Sequence, residues 1–132
     1  MDLVDICVFI KDFSKNKIEL FRNKFLNEFI SVDDYYESPK YGCEIIFETE
    51  DFDVMWEYIL EKPGRQYSFY FENKNNSDYP QAIIQVNNDG SICLALGVIP
   101  EKQNTYFKIL EETFNEDNCF ISYETGLPNS RW

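Results

Sequence analysis

A tight turn between two apolar runs is the feature of this sequence that most constrains its fold. Residues 82–86 and 92–99 lie on either side of the turn 87–90, which reads Asn-Asn-Asp-Gly. An Asp-Gly pair readily adopts the positive backbone angles of a tight hairpin turn. The sequence therefore predicts that the two runs pair as antiparallel strands.

Apolar spacing predicts further elements on both sides of this hairpin. Branched and aromatic residues favour strands over residues 4–10, 43–48, 67–71 and 119–123, with a short strand near Tyr35 and Tyr36. Helical spacing and capping signals predict helices from Ser14 to about Phe29, from Asp51 to Leu60, and from Pro100 through Phe114. We therefore predict a single α+β domain over residues 1–132. In it, a mainly antiparallel sheet of about six or seven strands carries three amphipathic helices packed on one face.

The apolar stripes of the helices are expected to meet the hairpin in one core. Residues predicted to be buried together are Phe21, Phe25, Phe52, Trp56, Leu94 and Leu96. The four cysteines, Cys7, Cys43, Cys93 and Cys119, are scattered along the chain, and there is no CxxC pair and no histidine. This pattern disfavours a zinc site and predicts free, buried thiols in a reducing cytoplasm.

The residue types argue against the common forms of catalysis. Histidine is absent, so serine and cysteine nucleophiles would have no imidazole to activate them. The five glycines form no phosphate-binding loop. We predict a protein that is not an enzyme and needs no cofactor or metal. A carboxylate enzyme that uses magnesium stays open as an alternative, with Glu48, Glu50, Asp51 and Asp53 as the conceivable ligands.

Negative charge is concentrated in one central segment. The chain has a net charge of -12, and residues 31–61 hold ten acids against Lys40 alone, which gives 1 − 10 = -9. This charge argues against binding to nucleic acid or to an anionic membrane. The chain has no apolar run long enough to span a membrane, and its N-terminus does not have the basic segment followed by an apolar one that marks a secretory signal. A cytoplasmic location is therefore expected. Two interpretations of the segment remain open: a solvated face, or a field that steers a basic partner.

The second interpretation gives a set of candidate partner-binding residues, in which tyrosines accompany acids. The set is Asp33, Asp34, Tyr35, Tyr36, Glu37, Glu48, Glu50, Asp51, Asp53 and Tyr58. The three tyrosines are expected to be exposed, because interface centres often hold aromatic side chains ringed by polar groups.

The segment Tyr79–Val98, which reads YPQAIIQVNNDGSICLALGV, carries a family resemblance. It is similar to the central hairpin of small immunity proteins from bacterial polymorphic-toxin and contact-dependent growth inhibition systems. The similarity extends over roughly the last half of the chain. It implies a cytoplasmic protein that binds one cognate toxin, such as a nuclease, and blocks its active site or substrate entry. A small-molecule-binding or regulatory domain, with a pocket between sheet and helices, is the alternative. The sequence leaves the oligomeric state open.

Overall fold

The computed structural model describes residues 2–38 and 44–122, and these form eight strands and three α-helices. The strands are β1 Val4–Ile10, β2 Ile30–Ser31, β3 Tyr36–Ser38, β4 Phe47–Thr49, β5 Tyr67–Glu72, β6 Gln81–Val86, β7 Ile92–Val98 and β8 Asn118–Ser122. The helices are α1 Lys15–Phe25, α2 Phe52–Leu60 and α3 Gln103–Thr113, the last preceded by a short 3₁₀ turn, Pro100–Lys102.

Six strands form one antiparallel sheet in the order β2-β5-β6-β7-β1-β8, and β3 and β4 pair separately as a two-stranded ribbon. The predicted α+β class with a mainly antiparallel sheet is confirmed. The predicted hairpin is also confirmed, since β6 and β7 pair in the register Val86 to Ile92 at the turn end. Strand β7 lies between β6 and β1 and is buried along its whole length.

The turn of this hairpin depends on one glycine. Gly90 has a φ of +92°, and its amide donates to the carbonyl of Asn87 at 2.9 Å. A Cβ at this position would lie 3.3 Å from the Cβ of Pro63. The local sequence signal and the tertiary contact therefore both require glycine here.

Replacing Gly90 by alanine is expected to lower the free energy of unfolding by about 1–3 kcal/mol, because a side chain is strained at positive φ. Urea unfolding monitored by tryptophan fluorescence measures this change. A loss below about 0.5 kcal/mol, the usual range for neutral surface positions, would show that the turn relaxes without cost.

Alternation of side chains gives the large sheet two different faces. One face carries the large aliphatic residues of β1 and β7 and packs against the helices. As predicted, Leu94 and Leu96 are buried in one core with Phe21, Phe25 and Trp56, and Phe52 packs against that core while partly exposed. The opposite face carries smaller and more polar residues, including Asp5, Cys93, Ala95 and Gly97.

Helix α1 ends earlier than its apolar spacing predicts. Ser14 caps its start, accepting a bond from the Lys17 amide at 3.2 Å. The helix stops at Phe25 rather than near Phe29, since Glu28 has a φ of 67° and cannot continue a right-handed helix. Phe29 instead stacks on Tyr79, with ring centroids 5.8 Å apart.

The ribbon also differs from the prediction. A strand was predicted over residues 43–48, with Ile45 and Phe47 on one face. Strand β4 begins only at Phe47, Ile45 is exposed, and Cys43 lies outside the described residues. Phe47 stacks on Tyr58 of α2, so the ribbon is anchored to that helix rather than inserted in the large sheet.

Three cysteines lie in the described part of the chain, and none of these three forms a disulfide. Cys7 and Cys93 are buried, and Cys119 is partly buried. Burial raises the pKa of Cys93 and of Cys119 to about 11, and it raises the pKa of Cys7 as well, with Asp5 and Cys93 adding to the effect. These thiols are therefore protonated and unreactive near neutral pH.

Cys7 and Cys93 are expected to resist alkylation by maleimide in the folded protein and to react fully in denaturant. Because labelling requires the buried, protonated thiols to become exposed, we expect it to be at least about 100-fold slower than for a free thiol. Time-resolved peptide mapping by mass spectrometry measures this. Rapid native labelling of either residue would contradict the burial, and a stoichiometric zinc ion in the purified protein would contradict the expected absence of metal.

Candidate functional site

The described part of the acidic segment, residues 31–38 and 44–61, includes the β3–β4 ribbon and helix α2. In the ribbon, Glu37 of β3 lies directly opposite Glu48 of β4. Like charges directly opposite each other destabilise a strand pair. This pairing therefore lowers the stability of the ribbon. A polar face that served only solubility would not need two glutamates directly opposite each other.

Tyr35 lies at the centre of a group of carboxylates. Its hydroxyl donates a hydrogen bond to the Glu48 carboxylate, and its ring is 44% exposed. The bond to Glu48 raises the pKa of Tyr35 to about 12, and the nearby charges of Glu48, Glu37 and Glu50 contribute. Tyr35 is therefore exposed, as the sequence predicted, and it is bonded to one carboxylate with two more nearby.

Tyr36 is buried, and the prediction that it is exposed is wrong. Only 2% of the residue is accessible to solvent. Its hydroxyl lies 2.6 Å from the Ser31 hydroxyl and donates to the Asp33 carbonyl at 2.7 Å. Its ring packs near Phe52 and Tyr67. Tyr36 therefore fastens the acidic segment to the core, while its neighbour Tyr35 points outward, as alternation along a strand requires.

Tyr58 is partly buried rather than freely exposed. Its ring stacks on Phe47 at a centroid distance of 4.1 Å, and the Arg65 guanidinium carbon lies 3.8 Å from the ring centroid. Arg65 also donates to the Tyr58 carbonyl. Tyr58 thus fixes the position of the ribbon on α2, and little of its ring is left for another molecule.

The remaining acids of the set lie at or near the surface. Asp51 caps α2, accepting bonds from the amides of Asp53 and Val54 at 2.9 and 3.3 Å. A capping carboxylate at a helix N-terminus is stabilised there, so Asp51 has a structural role as well. The exposed acids are Asp34, Glu48, Glu50, Asp51 and Asp53, and the partly buried ones are Asp33 and Glu37.

Apart from Glu61, the acids of this segment form no salt bridge within the part of the chain that the structure describes. Among residues 2–38 and 44–122, the salt bridges are Lys17–Asp117 at 2.9 Å and Glu61–Arg65 at 3.7 Å. No acid from Asp33 to Glu57 takes part in either. The segment therefore keeps its negative potential.

Three exposed aliphatic side chains accompany these acids, and the sequence reasoning missed them. Ile46 is 76% exposed, Ile45 is 46% exposed, and Val54 on the first turn of α2 is 43% exposed. Two consecutive isoleucines in the strand predicted over residues 43–48 could have indicated this, since neighbours in a strand point to opposite faces. Apolar side chains within a polar, charged rim are the usual composition of a protein-binding surface.

The chain matches no protein-family model, no curated protein and no solved structure. Within the described residues, no group of three or more Cys, Asp or Glu side chains is arranged to hold a metal ion, and no helix has the length and apolarity to cross a membrane. The geometry that remains consists of carboxylates without cationic partners, an exposed tyrosine and exposed aliphatic residues. Such a set can bind guanidinium and ammonium groups next to apolar surface.

Proposed function

We propose that this chain is an immunity protein that binds and neutralises a cognate bacterial toxin domain with a basic surface. The partner binds what we call the acidic surface, which consists of Asp33, Asp34, Tyr35, Glu37, Ile45, Ile46, Glu48, Glu50, Asp51, Asp53 and Val54. The observation that carries the proposal is the opposed pair Glu37 and Glu48, which is joined to the exposed Tyr35 and has no cationic partner among the described residues. Charges that oppose folding in this way gain a favourable role when a cationic partner covers them.

The electrostatics of the acidic surface suit a fast and selective encounter. Complementary potentials raise association rates and exclude partners of the wrong charge. Exposed aliphatic side chains such as Ile46 then supply the apolar contact that slows dissociation. A nuclease fits this partner well, since its substrate-binding cleft carries Lys and Arg for the phosphates. The acidic surface would occupy that cleft and exclude the nucleic acid.

Tyr36 and Tyr58 have a positioning role in this proposal. Tyr36 holds the start of the ribbon on the core, and Tyr58 holds its second strand on α2. A preorganised surface loses less conformational entropy on binding than a mobile one. The candidate set from the sequence is thus divided into residues that face the partner and residues that support them.

A toxin neutralisation assay tests the proposal. The toxin to test is the variable C-terminal domain of any large secreted protein that is found to be encoded beside this chain's gene. Co-expression of the chain is expected to restore bacterial growth, and calorimetry is expected to give a Kd below about 100 nM, within the range of specific protein complexes. An unrelated acidic protein of similar size serves as the control. Continued toxicity with both proteins expressed and folded would contradict the proposal for that pair. Equal rescue by the control would show that the effect is non-specific.

A further inference from the structure

A groove lies on the face of the six-stranded sheet opposite the helices. Its volume is about 350 Å³. The residues that matter for its chemistry are Asp5, Val32, Tyr70, Glu72, Ile83 and Gly97. The volume is at the lower end of the range for ligand-binding clefts in proteins. The small-molecule alternative from the sequence placed a pocket between sheet and helices, whereas this groove lies on the opposite face.

The strand register determines how the groove is built. Asp5 pairs with Gly97, Gly97 with Gln81, and Gln81 with Glu72, so these four residues form a row across β1, β7, β6 and β5. Strands lie about 4.8 Å apart, which separates the Asp5 and Glu72 backbones by about 14 Å. Gly97 and Ala95 lie between these two residues, but both are buried, and a Cβ on Gly97 would lie 3.3 Å from a methyl carbon of Leu3. The accessible apolar surface of the groove is on the neighbouring strands, where Ile83 is partly buried and Tyr70 is exposed. The groove thus has apolar side chains and the polar Gln81 along its centre, and a carboxylate towards each end.

Asp5 is a groove carboxylate for which the described residues provide no salt-bridge partner. Burial raises the pKa of its carboxyl group. Within residues 2–38 and 44–122, no Lys or Arg side chain lines the groove. Lys74 lies in a neighbouring depression that also includes Glu72. A partly buried carboxylate without a cation is costly, and a cation placed beside it removes much of that cost.

The groove also adjoins the acidic surface. Val32 lies at its edge, where the Val32 amide donates to the Tyr70 carbonyl at 2.9 Å, and the side chain of Val32 is exposed. The next residues along the chain are Asp33 and Asp34, which belong to the acidic surface. The acidic surface and the groove are therefore adjacent, and one partner can contact both.

We infer that the groove receives an arginine or lysine side chain of the same basic partner, with its methylene stem along Tyr70 and Ile83 and its charge at Asp5. Long basic side chains lay their stems along apolar surface and keep the charged end at a polar group. This inference rests on the proposed function for the identity of the partner. The chemistry of the groove can be tested without the toxin.

The test is an NMR titration of the ¹⁵N-labelled full chain with the peptide acetyl-Gly-Arg-Gly-amide. Its counterpart contains citrulline, which has nearly the shape of arginine but no charge. The arginine peptide is expected to shift the backbone amides of Asp5, Glu72 and Gly97. The citrulline peptide is expected to bind the wild type about tenfold more weakly than the arginine peptide does. The arginine peptide is likewise expected to bind the variant D5N about tenfold more weakly than the wild type. Each tenfold change is a loss of about 1.4 kcal/mol of binding free energy. E72Q is a second groove variant, and E111Q on α3 is a matched control that should bind like the wild type.

Three results would overturn the inference. The arginine and citrulline peptides could bind equally, D5N and E72Q could both bind the arginine peptide as the wild type does, or the shifts could be confined to the acidic surface. Spermidine alone is a further probe. Groove shifts with spermidine but not with the arginine peptide would show that the occupant is a free polyamine. If the arginine peptide binds in the groove but toxin neutralisation fails, the cation site stands and the assignment of its partner to the toxin is wrong.

Discussion

Replacing Leu96 by alanine is expected to lower the free energy of unfolding by about 2–5 kcal/mol, the range measured for buried leucines. Leu96 is fully buried on β7, opposite Ile6 of β1 and Ala82 of β6. Its removal leaves a cavity under the helices in the middle of the sheet. Chemical denaturation followed by circular dichroism measures the loss, which is a large part of the total stability of a domain this size.

Ile46 is the matched control for this prediction. It is also a large aliphatic residue, yet it is 76% exposed on the ribbon. Replacing Ile46 by alanine is expected to change stability by less than about 0.5 kcal/mol, as is usual for surface positions. Equal effects at the two positions would contradict the assignment of faces in the large sheet and the exposure of the ribbon.

Reversing the charges of Asp33, Asp34 and Glu37 together to lysine is expected to weaken binding of the toxin at least about 100-fold at low salt. Opposite fields that attract the partner become repulsive, and like charges brought together at an interface cost several kcal/mol. The binding constant measured by calorimetry checks this. The same reversal at Glu111, Glu112 and Glu116, which are exposed on and just after α3, is the matched control for total charge.

The single variant E37K separates binding from folding. A lysine at this position would face Glu48 across the ribbon and replace a repulsive pair with an attractive one. Its stability is therefore expected to equal or exceed that of the wild type, while its affinity for the toxin falls. If the α3 control abolishes binding and the reversal of Asp33, Asp34 and Glu37 has no effect, the partner-binding surface lies on α3 instead.

Local signals in the sequence predicted the parts of the fold that depend on neighbouring residues. The hairpin follows from Asp89 and Gly90, and the α2 cap follows from Asp51. Strand β2 could not be found in this way, because it has two residues and exists through pairing with β5. The assignment of β3 and β4 to a separate ribbon likewise depends on tertiary packing, which apolar spacing does not contain.

The sequence predicted where the acidic segment lies along the chain. It did not predict which individual side chains of that segment are exposed. Charge counting located the acidic segment, but it could not distinguish Tyr35 from Tyr36. A shift of one residue exchanges the two faces of a strand, and tyrosine suits either face. The groove was missed for a related reason. Residues 92–98 read as one apolar run, which does not reveal that the helices pack on only one of its two faces.

The dependence of the toxin association rate on salt concentration tests the central claim most directly. Stopped-flow mixing of the wild-type chain with the toxin measures the rate constant from low salt to well above physiological ionic strength. If the acidic surface steers the partner, the rate is expected to fall by about 10-fold or more across this range, since screening removes the long-range attraction. The variant with lysine at positions 33, 34 and 37 is expected to lose most of this dependence. A wild-type rate that does not change with salt would contradict the claim and would leave the acidity of residues 31–61 without a role in binding.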